Sequence, residues 1–291
     1  MKRHFFFFIL AVAWISFSFS PPLSEAKTLG DIIKAGKIVI GVKGDFPPWG
    51  VINAQGKFEG WEIDLCHKLA EYLFGDPNKV EFLATVGGNR IPFLETGKID
   101  VIWCTMGYTP DRAKKVDYSV PYFMSGTQVL VKKASPIKEP EDLNGKTVLA
   151  IKGTIPTQAT KQLAPNAQYI EFDKTSEALQ ALRDDRGVAF IQADLLVTQL
   201  AADNPDLKVV GRVYAPEWWG VGFRKGEEDI KAYVNLAISH MYRTGFLEER
   251  LIYWWKGQSL DQIKAIVADT FSKGMAEYYK DKELKAEEMK K

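Results

Sequence analysis

Histidine and cysteine are scarce: the 291 residues include three of the first and two of the second. Neither Cys66 nor Cys104 stands in a CxxC or Cys/His metal spacing, which excludes a zinc ribbon or a redox dithiol of that type. Export would allow the two thiols to pair. Cys66 on the apolar face of a helix and Cys104 at the end of an apolar strand read more simply as buried free thiols. An excess of one charge is also missing. There are 38 basic and 37 acidic residues, a net charge of +1, which argues against nucleic acid or a strongly anionic membrane as partner. No nucleophile elbow, metal motif or phosphate-cradling glycine loop is found. No catalytic residue, metal or cofactor is therefore assigned.

Apolar runs long enough to span a membrane are lacking as well. The longest, Phe5 to Phe19, follows the basic Lys2, Arg3 and His4 and leads to Ser24-Glu25-Ala26, with small residues at the cleavage-site positions before Lys27. This is the layout of a secretory signal. No cysteine follows it to carry a lipid. The expected mature chain starts near Lys27 and is periplasmic or otherwise secreted.

The remaining sequence alternates strand and helix patterns. Ile38 to Val42 is a β-branched run leading into Lys43-Gly-Asp-Phe-Pro-Pro-Trp49, where glycine and proline forbid regular structure. Ile63, Cys66, Leu69, Ala70 and Leu73 recur at helical spacing, predicting a helix over 61–74 that ends at Gly75. Val80 to Ala84 and Ile99 to Cys104 read as strands, with a short helix capped by Asn89 between them. The pattern repeats through Thr147 to Ile151, a helix opening at Ile155-Pro156, and strands at Tyr169 to Phe172 and Val188 to Ile191. Such alternation predicts parallel sheets with crossover helices. Two such blocks, with extended segments between them, predict two lobes joined by two crossing strands.

Several motifs fall in a fixed order: Gly60-Trp-Glu-Ile-Asp64, Asn89-Arg-Ile-Pro92, Gly97-Lys-Ile-Asp100, Thr109-Pro-Asp-Arg112, Val116-Asp-Tyr-Ser-Val-Pro121-Tyr122, Lys152-Gly-Thr154 and Glu217-Trp-Trp-Gly220. Together they resemble the polar amino-acid group of extracellular solute-binding proteins, the receptors of ABC importers. The resemblance covers about residues 27–256. It implies an α/β, two-lobe periplasmic-binding-protein fold, each lobe a mainly parallel sheet with flanking helices, joined by two hinge strands. The expected division is a signal peptide over 1–26, the first part of lobe 1 over 27–125, lobe 2 over 126–215, the return of lobe 1 over 216–256 and a C-terminal helical extension over 257–291. The implied partners are a small carboxylate or amino acid and a membrane permease, and a monomer is expected.

Arg112 is the first candidate for the site. A ligand carboxylate suits a planar, bidentate donor, Thr109 can cap a short helix that holds Arg112, and the resemblance assigns this arginine to the α-carboxylate. Thr105 and Gly107 end a strand facing the same cleft; the family often has Ser or Thr where Gly107 stands, so its backbone N–H or the space it leaves replaces a side chain. Thr154 and Ile155 open a second-lobe helix whose free N–H groups favour an anion. Phe46, Trp49, Trp103, Tyr108, Trp218 and Trp219 are candidate aromatic walls, about half of them expected to be core residues instead. Lys43 and Arg90 would add a basic pocket for a second acidic group.

One departure stands out. Where the resemblance implies an aspartate for the ligand's α-ammonium, this chain has Ala193, with Asp194 one position later. Either Asp194 pairs with the ammonium, or the ligand is a carboxylate without an α-amino group. Two other functions use the same architecture. One is an exported cyclohexadienyl or arogenate dehydratase, for which Glu217 and Asp194 are the acids at hand. The other is a soluble sensor passing ligand information to a separate partner.

Overall fold

The computed structural model describes residues 27–255, 260–276 and 278. The secretory-signal reading of 1–26 lies outside them. In chain order come α1 (Leu29–Ala35), β1 (Ile38–Val42), β2 (Asp45–Phe46), β3 (Gly50–Ile52), β4 (Phe58–Glu59), α2 (Trp61–Phe74), β5 (Val80–Ala84), α3 (Arg90–Glu95), β6 (Val101–Ile102), α4 (Pro110–Ala113) and β7 (Val116–Tyr118). Then follow β8 (Phe123–Lys132), β9 (Thr147–Ile151), α5 (Ile155–Leu163), β10 (Gln168–Phe172), α6 (Thr175–Arg183), β11 (Ala189–Ala193), α7 (Asp194–Asp203) and β12 (Leu207–Trp219). The chain closes with β13 (Gly222–Arg224), α8 (Glu228–Arg243), α9 (Phe246–Trp254) and α10 (Leu260–Asp269).

Two five-stranded sheets carry the architecture, ordered β5-β1-β6-β13-β7 and β10-β9-β11-β8-β12; a small third sheet is β2-β3-β4. Within each large sheet one half is parallel, β5-β1-β6 and β10-β9-β11. The other half is antiparallel: β13 runs against β6 and β7, and β8 against β11 and β12. The parallel halves are the strand–helix–strand blocks visible in the sequence. In each large sheet a single strand is reversed, β13 in the first and β8 in the second, and its outer neighbour, β7 or β12, again runs with the parallel strands. The long strands β8 and β12 pair with each other from Leu207↔Lys132 to Trp219↔Phe123 and form the two-stranded crossing. No helix among the described residues is long and apolar enough to cross a membrane.

Several motif residues owe their place to the fold. Asp100 accepts from the Val39 N–H at 2.8 Å and from Lys27 Nζ at 2.7 Å, tying the start of β1 to β6. Asp64 accepts from Arg250 Nε at 2.8 Å and Trp254 Nε1 at 2.5 Å, pinning α2 to α9. Helix α2 ends at Gly75, whose φ of 70° is the left-handed cap that glycine supplies. Cys66 and Cys104 are both buried and free. The strand expected over Ile99 to Cys104 narrows to β6, because Asp100 caps the edge of β1 and Thr105 turns out of the sheet with φ 49°.

The segment after Trp255 docks on the crossing. Thr270 Oγ1 accepts from the Met124 N–H at 3.0 Å, Phe271 stacks on Tyr242 at 3.9 Å, and the buried Tyr278 meets Trp218 edge-on at 5.7 Å. Ile263 and Val267 are buried with it. Ile263→Ala should cost about 2–4 kcal/mol in urea unfolding; an unchanged midpoint would mean that the segment is undocked in solution.

Candidate functional site

A narrow cleft is lined by residues from the elements of both large sheets. From the first sheet's side come Lys43 after β1, Phe46 in β2, Gly87 after β5, Arg90 opening α3, Thr105 after β6 and Arg112 in α4. From the second come Thr154, Ile155 and Pro156 at the start of α5, and Gln192 and Ala193 at the end of β11. Glu217 and Trp219, on β12, complete the lining.

Arg112 sits where its local sequence puts it. Thr109 Oγ1 accepts the Arg112 N–H at 3.2 Å, capping α4, and Pro110 occupies the first helical position. The guanidinium donates from Nη1 to Gly107 O at 2.6 Å and from Nη2 to Gly153 O at 2.7 Å. A guanidinium carries five N–H groups, so Nε–H and a hydrogen on each terminal nitrogen remain for a ligand. Burial, reinforced by the neighbouring Arg90 charge, pulls Arg112 down to about 10, which leaves it protonated at neutral pH.

Opposite it, Thr154 caps α5: its Oγ1 accepts the Thr157 N–H at 3.4 Å. Ile155, the first residue of α5, lines the cleft, and Pro156 after it has no N–H to offer.

Lys43 and Arg90 deepen the positive floor. Lys43 is buried above the Phe46 ring, 5.5 Å from its centroid, with no hydrogen-bond or ion-pair partner among the described residues. Burial lowers its pKa. Arg90 donates to Cys104 O at 3.2 Å and leaves its buried Nε without a partner. Thr105 is held by a buried acid that sequence reasoning overlooks: its N–H donates to Glu62 Oε1 at 2.8 Å, and the same oxygen accepts from Tyr122 Oη at 2.5 Å. The only signal for that role is Glu62 lying at the start of α2 beside Trp61.

Six residues singled out from sequence lie outside the cleft lining. Trp49 is buried among Phe46, Phe123, Trp219 and Trp255, with ring centroids 5.5–5.8 Å apart. Trp103 is buried against Tyr122. Large indoles are best dried in the core, and Thr105, at φ 49° beyond the end of β6, has left the strand's alternation, so it lines the cleft although Trp103 two residues earlier is buried. Gly107 leaves its space to Glu217: a Cβ there would stand 1.7 Å from Glu217 Oε2. Asp194 turns to the crossing strand, where its Oδ1 accepts from Ser125 Oγ at 2.9 Å and Gly126 N at 3.2 Å. Of the aromatic walls, Phe46 and Trp219 reach the cleft, while Tyr108 and Trp218 stack on each other at 4.7 Å beside it.

Glu217, which the sequence offers only as an acid for catalysis, is the sole carboxylate on the cleft wall among the described residues. Gln192 and Gly87 are also in the lining; the Gly87-Gly88 pair before Asn89 is the one sequence cue for a close approach. The two sides touch directly. The Thr175 N–H donates to Asp45 Oδ2 at 2.7 Å, and Arg112 reaches Gly153.

These groups come together on a fold with known relatives. A model of the bacterial extracellular solute-binding proteins, family 3, matches residues 38–257. The chain belongs to this family. It is 35% identical over 235 residues to the ABC transporter glutamine-binding protein GlnH of Bacillus subtilis, covering 80% of this chain and 86% of that protein. The solute receptor for L-cysteine of Neisseria gonorrhoeae superposes with a TM-score of 0.76 at 34% identity, over 78% of this chain and 93% of that one. The ancestral amino acid-binding protein AncCDT-1, a precursor of cyclohexadienyl dehydratase, gives a TM-score of 0.73 at 34% identity, over 78% and 99% of the respective chains. The two-lobe architecture anticipated from the motif order is the one these solute-binding proteins have.

The buried acids give this family member a pH signature. Burial raises Glu217 to about 7, with Arg112 opposing, and raises Glu62 to about 7, with Tyr122 opposing. A carboxyl whose folded value exceeds its unfolded value near 4.5 destabilises the fold once it must ionise. Ligand-free stability is therefore fully present below the unfolded value and declines as pH rises through the folded value near 7. Urea unfolding at pH 5 and pH 8 should differ by up to about 3 kcal/mol per carboxyl. Glu217→Gln should remove one share of that slope, and an unchanged slope would refute the assignment.

Proposed function

We propose that this chain is the solute receptor of an ABC importer and that it closes its two lobes on an amino acid, acidic or polar in its side chain, or on a related small carboxylate. One observation carries the reading: Arg112 in α4 and Ile155 at the start of α5, where helix N–H groups are free of intrahelical partners, line one cleft from its two sides. An anion between them bridges the lobes, and a ligand that contacts both sides selects the closed form. Lys43 and Arg90 favour a ligand with a second acidic or polar group. Binding without chemistry is the role, handing over to a membrane permease the next step, and the compartment is periplasmic or otherwise secreted. The names of the relatives, glutamine and cysteine receptors among them, support an amino-acid ligand.

The test is a thermal-shift screen on protein unfolded and refolded to remove co-purified ligand. The panel holds the proteinogenic amino acids, L-cystine, small dicarboxylates and the 2-keto and 2-hydroxy analogues of each amino acid. A ligand of the folded state raises the melting temperature by mass action. Shifts from one group of amino acids support the reading; shifts from none of the panel overturn it. A second reading, an exported dehydratase, is favoured by the protonatable Glu217 in the cleft and the likeness to AncCDT-1. Turnover of prephenate decides for it, and a blank at high protein concentration decides against it.

A further inference from the structure

A cleft that grips a carboxylate also has to deal with the positive end of an α-amino acid. A desolvated ammonium without an acceptor is costly. Three cations, Lys43, Arg90 and Arg112, line this cleft and would repel it. Ala193 lines it too but ends in a methyl group. Asp194 is committed to Ser125 and Gly126 on the crossing strand. Glu217 remains.

Three features of the backbone deliver the Glu217 carboxylate. Strand β12 shifts register between Val210 and Tyr214 and again between Tyr214 and Glu217. Such irregularities re-aim side chains. Ala215, two residues earlier, is held at φ 47°, where a non-glycine residue is strained. Across from it, Gly107 bridges Trp219, and its missing side chain is the space that Glu217 Oε2 fills, since a Cβ would stand at 1.7 Å. Among the described residues Glu217 forms no ion pair within 4 Å with the three cations, of which Arg112 acts on it most strongly through space. Burial works against its ionised form, and the charges of Arg112 and Arg90 favour it through space.

We propose that Glu217, accommodated by Gly107, is the acceptor for the ligand's α-ammonium and sets the preference of this receptor for amino acids over their deaminated analogues. The acceptor then stands on β12, and not at the end of β11 where Ala193 is. This rests on the amino-acid reading above. The groups facing Glu217 are Arg112 on α4, Arg90 on α3, Asp194 on α7 and Lys43 after β1. The carboxylate contact is common to an amino acid and its hydroxy analogue, so the difference in proton release between the two reports the acceptor of the ammonium.

Titration calorimetry of the refolded protein with L-glutamine, L-glutamate, L-cysteine and the 2-hydroxy analogue of each tests this. Affinity for the amino acid relative to its hydroxy analogue should fall at least ~30-fold in Glu217→Gln, as expected when a buried charge loses its partner. A ratio equal to wild type overturns the proposal. Should Glu217→Gln fail to fold, wild-type protein is titrated at pH 7 in buffers of different ionisation enthalpy. Release of a proton with the amino acid, and none with the hydroxy analogue, supports Glu217; equal proton counts overturn it. If wild type binds no amino acid at all, the receptor reading fails rather than the role of Glu217 within it.

Discussion

Arg112→Ala should reduce affinity for the amino-acid ligand at least ~100-fold, since two charge-assisted hydrogen bonds at about 1.5–3 kcal/mol each are lost. The fold should survive. The Gly107 carbonyl that Arg112 holds also accepts from Tyr118 Oη at 3.1 Å, so it keeps a partner in the variant. What disappears is the donor fork and the 2.7 Å link to Gly153 O on the opposing loop. Arg112→Lys keeps the charge but not the planar fork, and should fall between the two. Calorimetry on wild type and both variants, with melting temperatures of the ligand-free proteins as control, reads this out. Near-wild-type affinity in Arg112→Ala would remove Arg112 from the carboxylate site.

The second large effect comes from a residue with no side chain. Gly87, after β5, faces Lys152 O, after β9, and a Cβ added there would lie 2.5 Å from that oxygen. The obstacle is backbone from the opposing lobe, so it cannot swing aside as a long side chain would. Valine at 87 should leave the separated lobes undisturbed and block their final approach. Affinity should drop at least ~10-fold, about 1.4 kcal/mol, while ligand-free stability changes little. Small-angle scattering supplies an independent reading: the compaction that ligand induces in wild type should be lost in Gly87→Val. Compaction and affinity equal to wild type would show that this contact does not limit closure.

Much of the architecture was legible because its cues are local. The helix over 61–74 has an apolar stripe and a glycine stop, and α2 spans Trp61–Phe74. Thr109-Pro110 announces a capped turn, and α4 begins there. Ile155-Pro156 announces a helix start, and α5 begins there. Helices α1 and α7 escaped such reading. Helix α1 has one buried residue, Ile32, too little for a periodic pattern. Helix α7 follows β11 directly, so its apolar residues merge with the strand's run.

The sequence by itself determined the alternating strands and helices, the two blocks and the short turns that hold Arg112 and Ile155, because hydrophobic period, proline and capping residues act within a few positions. Only the tertiary structure decided which of the six aromatics meet the cleft, that Glu62 props Thr105 from α2, and that Glu217 occupies the room beside Gly107 while Asp194 turns away. Each of those outcomes depends on residues far apart in the chain meeting across sheets. A strand register, a bulge or a missing Cβ opposite a carboxylate leaves no periodic trace in the sequence, yet it decides where a charge points.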